Sequence, residues 1–217
     1  MKVLFVNPPF KAEYGKYSRE ARSAMITNSG VIYYPLWLLY AAGVTQEAGF
    51  EVDFLDAPAK QMDFEKSIKW IKEKNNDYRL IVLDTSTPSI YNDVKFGAEL
   101  KAIFPNAFIV LMGTHPTALP EQTMKLNNNI DGIAKGEADY IIRDLAIALN
   151  KGESLETVKG LVYRKDGEIK INEEMPLITD VDAIPWAAKL IKQFLDPKDY
   201  FFAAAAFPEI QIFTGRG

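Results

Sequence analysis

The sequence predicts an α/β fold, a Rossmann-like (flavodoxin-like) sheet of five parallel strands with helices on both faces. Three observations predict it. Short, β-branched apolar runs alternate with segments of helical period five times, the pattern of a mainly parallel sheet. Each run stops at a cluster of Gly, Pro, Asn, Asp or hydroxyl residues. The 217 residues, 48% of them hydrophobic, suffice for the core of one such domain with an appendage.

Lys2 to Val6 (KVLFV) is the first strand and ends at Asn7-Pro8-Pro9. A polar stretch from Lys11 to about Gly30 reads as a loop, and its length marks it as functional or mobile. Tyr34 to Ala48 reads as a helix, with Pro35 at its start and Gly49 beyond its end. Its apolar residues run nearly all round, so it should be well buried. Glu51 to Leu55 is the second strand and ends at Asp56-Ala57-Pro58. Asp63 to Lys74 is a surface helix carrying Phe64, Ile68 and Ile71 at helical spacing.

Leu80 to Leu83 is the third strand, closed by Asp84 and the loop Thr85-Ser86-Thr87. Pro88 opens the next helix, which Ser86 or Thr87 can cap. Phe108 to Met112 is a continuous apolar run, as a strand buried on both faces should be. It ends at Gly113-Thr114-His115-Pro116-Thr117, ahead of a short helix with Pro120 in its first turn. Gly132 to Ala134 is the fifth strand, followed by Lys135-Gly136-Glu137 and a helix over Asp139 to Leu149. Right-handed crossovers bring all five strand-end loops to one edge, where open α/β sheets bind ligands.

Three divisions follow: residues 1–150 form the α/β domain, 151–174 a hairpin extension, and 175–217 a linker and one further strand. Leu161 to Arg164 and Glu168 to Ile171 flank Lys165-Asp166-Gly167, a hairpin signal. Residues 175–186, with two prolines, read as linker, Leu190 to Leu195 as a short helix, and Glu209 to Thr214 (EIQIFT) as a strand.

Composition narrows the function. Net charge is −4 with no basic block, which argues against nucleic acid. No apolar run reaches the roughly 18 residues of a membrane span, and MKVLFVNPP lacks a signal-peptide pattern, so a reducing cytoplasm is the expected location. Without cysteine there is no thiolate nucleophile, cysteine zinc site or iron–sulfur ligation from this chain, and one histidine cannot make a His-based metal cage. Neither GxGxxG after the first strand nor GxxxxGK[ST] is present, which argues against dinucleotide and P-loop sites.

Several polar groups carry two readings. Asp84, Thr114 and Lys135 stand where receiver domains carry their phospho-acceptor set, yet the first strand ends in Asn7, Pro8 and Pro9 rather than metal-holding acids. The plainer reading makes Asp84 a turn-former. His115 is a metal ligand or a loop histidine bonded to backbone or a cofactor amide. Thr85, Ser86 and Thr87 are helix caps or cofactor contacts, and Gly136-Glu137 a tight turn or a contact. Tyr33, Tyr34, Trp37 and Tyr40 read as core.

Taken together, MKVLFVNPP, DTSTPS, GTHPTALPEQT and KGEAD resemble the N-terminal cobalamin-binding domain of cobalamin-dependent radical SAM enzymes. ITDVDAIPW resembles the linker into the radical SAM barrel of that family. QIFTGRG resembles the barrel's first strand, which there runs directly into a CxxxCxxC motif; the chain ends just short of it. The resemblance covers essentially the whole chain. It implies cobalamin as cofactor, held by Asn7, Pro8, Pro9, Thr85, Ser86, Thr87, Pro88, Gly113, Thr114, His115, Pro116, Thr117, Gly136 and Glu137. It implies S-adenosylmethionine and a 4Fe-4S cluster in a longer parent polypeptide, whose barrel is the partner of this domain and whose reaction is methyl transfer or related ring-forming radical chemistry. By itself the chain should be inactive. The DxHxxG loop of the methionine synthase and mutase type is replaced by Asn7-Pro8-Pro9-Phe10, which implies base-off cobalamin without a protein imidazole. A family member that has lost cobalamin and serves as a scaffold is the other possibility.

Overall fold

The computed structural model describes residues 1–20, 24–74, 77–213 and 215. Its centre is a seven-stranded sheet. β1 (Lys2–Asn7), β4 (Glu51–Asp56), β5 (Tyr78–Thr85), β6 (Phe108–Gly113) and β7 (Gly132–Ala134) are parallel; β8 (Leu161–Lys165) and β9 (Glu168–Ile171) are antiparallel. The order is β4-β1-β5-β6-β7-β8-β9. The five parallel strands therefore run in the flavodoxin-like order, which reverses direction between β1 and β5 and leaves a crevice at their carboxyl ends.

Side-chain alternation along the strands splits the core in two. Val3, Phe5, Leu80, Val82, Val110 and Met112 face α1 (Leu36–Glu47), α6 (Ala138–Lys151) and α7 (Ala187–Phe194). Leu4, Val6, Ile81, Leu83, Ile109 and Leu111 face α2 (Phe64–Lys74), α3 (Ile90–Ile103) and α5 (Pro120–Leu126). Burial on both faces is why these strands read as continuous apolar runs. α1 is buried nearly all round, as its composition predicts. Among the described residues no helix is long and apolar enough to cross a membrane.

The hairpin is not a separate appendage. β7 spans three residues, and β8 pairs with it antiparallel, so the hairpin continues the sheet and covers its edge. Residues 11–30 are also not plain loop: β2 (Lys16–Ser18) and β3 (Met25–Thr27) form a two-stranded sheet of their own, while residues 21–23 lie outside the described residues. The strand expected over Glu209 to Thr214 is not formed across residues 209–213, because an extended segment without a neighbour has no ladder to join. Thr214, Arg216 and Gly217 lie outside the described residues. The preceding segment folds back instead. Tyr200 is fully buried, stacks on Tyr34 with ring centroids 4.0 Å apart, and its hydroxyl donates to Asp56 at 2.7 Å.

Candidate functional site

A cleft of about 440 Å³ opens above the carboxyl ends of β5, β6 and β7. That is the size range of small-molecule sites. Its walls are Asp84 and Thr85 from β5, Met112 and Gly113 from β6, and Thr114 and Thr117 from α4 (Thr114–Ala118). Gly136, Glu137, Ala138 and Asp139 come from the turn into α6, Trp37 from the first turn of α1, and Arg19 and Glu20 from the segment after β2.

Gly113 is a requirement of this geometry. Its φ is +115°, and a Cβ there would sit 2.1 Å from the Thr85 carbonyl oxygen. Both the conformation and the close passage of β6 against β5 need glycine. Gly113→Ala should therefore destabilise the domain by about 1–3 kcal/mol, read as a lower denaturant midpoint with unchanged slope.

Beneath the cleft lies a buried charge cluster. Arg19 pairs with Asp93 at 2.6 Å, with side chains 2% and 0% exposed. Its guanidinium also donates to the Pro8 carbonyl at 2.9 Å and to the Asn7 amide oxygen. Asp93 accepts further bonds from Thr85 Oγ1 at 2.7 Å, Ser89 and Asn92. Asn7 in turn donates to Asp56 at 2.9 Å. Arg19 thus ties the end of β1 to α3 and forms one wall of the cleft.

Two cleft carboxyls are left incompletely bonded. Asp84 is 4% exposed, and among the described residues its Oδ2 has no hydrogen-bond partner; Glu20 Oε2 is likewise buried without one among them. Burial pushes the Asp84 carboxyl up to about 7 against the pull of the Arg19 guanidinium, with Asp93 adding to the rise. Burial lifts Glu20 well above the usual carboxyl range, the Asp84 charge lifts it further, and the Trp37 backbone N–H that it accepts works the other way. Asp56 is raised too, by burial.

Of the expected site residues, the cleft brings together Thr85, Gly113, Thr114, Thr117, Gly136 and Glu137. Asn7, Pro8 and Pro9 lie below it: their polar groups bond Arg19, Asp56 and Asn92. Ser86 bonds Tyr17 at 2.8 Å and closes a capping box with Ser89. Thr87 faces His115 Nδ1 at 3.3 Å, Pro88 is exposed in the short turn that follows, and Pro116 is buried in α4. Glu137 accepts from the backbone N–H of Ile178, and Thr117 from that of Gly136. Of the receiver-like trio, Asp84 and Thr114 line the cleft, whereas Lys135 is not on its wall and donates to Glu174 at 2.8 Å. The cleft adds Arg19, Glu20 and Met112, which carried no site signal in the sequence, and Trp37, expected in the core but 42% exposed at the start of α1; Asp84 accepts from the Thr85 backbone N–H, as a turn-former would, and also lines the cleft.

A family model described as the B12 binding domain matches residues 22–146. The chain belongs to the B12-binding domain family. An uncharacterized methyltransferase of Pyrococcus horikoshii is 31% identical to this B12-binding domain over 185 residues, 85% of the chain and 37% of that protein. The anaerobic magnesium-protoporphyrin IX monomethyl ester cyclase of Cereibacter sphaeroides is 29% identical over 188 residues, 85% of the chain and 28% of that protein. The chain thus spans roughly a third of the length of these relatives. Among solved structures, the cobalamin-dependent S-adenosylmethionine radical enzyme OxsB with aqua-cobalamin and S-adenosylmethionine bound superposes with a TM-score of 0.61. It shares 20% identity over 81% of this chain and 22% of its own, a likeness of fold.

Proposed function

We propose that this B12-binding domain holds cobalamin at the carboxyl edge of its sheet, as one part of a longer, cytoplasmic, radical SAM polypeptide. The observation that carries the reading is the cleft itself. It is bounded by the ends of β5, β6 and β7 and by the start of α6, within the segment that matches the family. The residues suit the cofactor. Gly113 lets β6 pass close against β5 on the cleft wall, Thr114 and Thr117 present hydroxyls, and the two buried carboxyl oxygens without partners among the described residues suit polar groups such as the amides that fringe a corrin. Asn7, Pro8, Pro9, Ser86, Thr87, Pro88, His115 and Pro116 would act around and beneath this wall.

Cobalamin would supply a carrier for methyl groups; the domain supplies binding and orientation. Methyl transfer and ring-forming radical chemistry both fit, since a methyltransferase and a cyclase are among the relatives. S-adenosylmethionine and a 4Fe-4S cluster belong to this reading as properties of the longer polypeptide. The chain has no cysteine, so cluster ligands would have to come from outside it.

Titration of the purified chain with hydroxocobalamin, followed by visible absorbance and desalting, tests the reading. Retained corrin with a base-off spectrum is expected, and His115→Ala should leave that spectrum unchanged. A protein-imidazole spectrum lost in His115→Ala would overturn the axial assignment. Failure to retain corrin both by this chain and by a longer polypeptide with the barrel would overturn the cobalamin reading.

A further inference from the structure

The two unpartnered carboxyl oxygens in the cleft ask for an explanation that holding the fold together does not provide. A buried polar atom without a partner costs stability, and natural domains seldom keep one without use. Among the described residues the walls of one cleft carry two such carboxyl oxygens, Asp84 Oδ2 and Glu20 Oε2, together with the Nε of Arg19. They come from different elements, β5 and the segment after β2.

We propose that Asp84 and Glu20 keep one proton between them and use it to read a primary amide of the bound cofactor. The protonated acid donates its O–H to the amide carbonyl, and the unprotonated carboxyl oxygen accepts an amide N–H. A primary amide offers one strong acceptor and two donors, which complements an acid and a carboxylate on the walls of one cleft. A corrin carries several such amides. The inference rests on the cobalamin reading above.

The surroundings favour retention of the proton. Arg19 faces the pair from the same segment as Glu20, Asp56 from the end of β4, Asp93 from α3, and Glu137 and Asp139 from the start of α6. The two terminal nitrogens of the Arg19 guanidinium are committed to Asp93, Asn7 and Pro8, while its Nε is buried without a partner among the described residues, and its charge pulls against the retention of the proton without cancelling the effect of burial. Releasing the proton would add another negative charge to a buried acidic group of residues, and burial already holds both carboxyls above their ordinary range. The same device, an acid kept neutral by its site so that it can donate, serves oxyanion recognition elsewhere.

Two measurements test this. The first needs no cofactor: infrared difference spectra of the unliganded chain should show a protonated carboxyl band at neutral pH that shifts or weakens in Asp84→Asn and in Glu20→Gln and is absent from the double variant. The second follows binding of methylcobalamin, whose own groups do not titrate in this range, between about pH 6 and 9. Affinity should fall about tenfold per pH unit once the pair loses its proton. Asp84→Asn, whose amide donates at every pH, should bind with a flat profile, while Asp84→Ala should lose about 10- to 100-fold. Glu20→Gln should flatten the profile in the same way. Both carboxyls ionised at neutral pH would overturn the proposal, as would pH-independent binding by the wild type or equal affinities of the Asn and Ala variants. No binding at any pH, by this chain and by a longer polypeptide with the barrel, would overturn the cobalamin reading itself, and this role with it.

Discussion

Arg19→Met should destabilise the domain by about 3–5 kcal/mol, the cost of breaking a buried ion pair by removing one partner. The charge left behind is Asp93, whose side chain is fully buried. Its other partners, Thr85, Ser89 and Asn92, are neutral donors and soften the loss without replacing the cation. The Pro8 carbonyl and the Asn7 amide oxygen lose a donor at the same time. Methionine keeps much of the apolar stem, so packing against the Tyr17 ring, 5.0 Å from the guanidinium carbon, accounts for little of the effect. The double variant Arg19→Met, Asp93→Leu should recover much of the stability because it removes the stranded charge. Urea midpoints of the two single variants and the double variant check this. A double variant as unstable as the sum of the singles would show that shape, not charge pairing, governs the site.

Asp84→Asn should stabilise the unliganded domain at alkaline pH by on the order of a few kcal/mol, and hardly at all at acid pH. The sign follows from the raised proton affinity. In the unfolded chain an aspartate ionises near 3.9, whereas burial holds folded Asp84 up to about 7. Below the unfolded value both states carry the proton, and Asp84 contributes its full share of stability. As pH rises from about 4 to about 7 only the unfolded state ionises, and that share is progressively lost. Asparagine has no such penalty. The difference between variant and wild-type midpoints should open across this window and level off above it. A constant difference from acid to alkaline pH would mean that folded Asp84 ionises in the ordinary range.

Much of the fold was legible because its signals are local. LIVLD and FIVLMG are runs buried on both sheet faces, and each ends where a loop must turn, so strand ends and the site's edge could be placed from sequence. The Gly113 loop was legible for the same reason. Arg19 and Glu20 were not. They follow a three-residue strand in a polar stretch without periodicity, and its excess length was the single hint. Asp84 was read as a turn-former that bonds nearby backbone, and its carboxyl does accept from the Thr85 backbone N–H; its burial in the cleft wall was not legible because the groups that bury it lie far away in sequence. His115 drew attention as the one histidine, yet its ring nitrogen meets a Thr87 hydroxyl rather than the cleft. Residues 209–213 carry the alternation of a strand, but pairing is a tertiary property that alternation cannot supply.

The most direct test of the account compares corrin retention by the wild-type chain and by Thr114→Trp. Thr114 is exposed at the start of α4 and lines the cleft, so an indole there should fill the space without disturbing the core. Hydroxocobalamin should survive desalting in stoichiometric amount on the wild type and be lost from the folded variant. Equal retention by both proteins would place cobalamin elsewhere and contradict the assignment of this cleft.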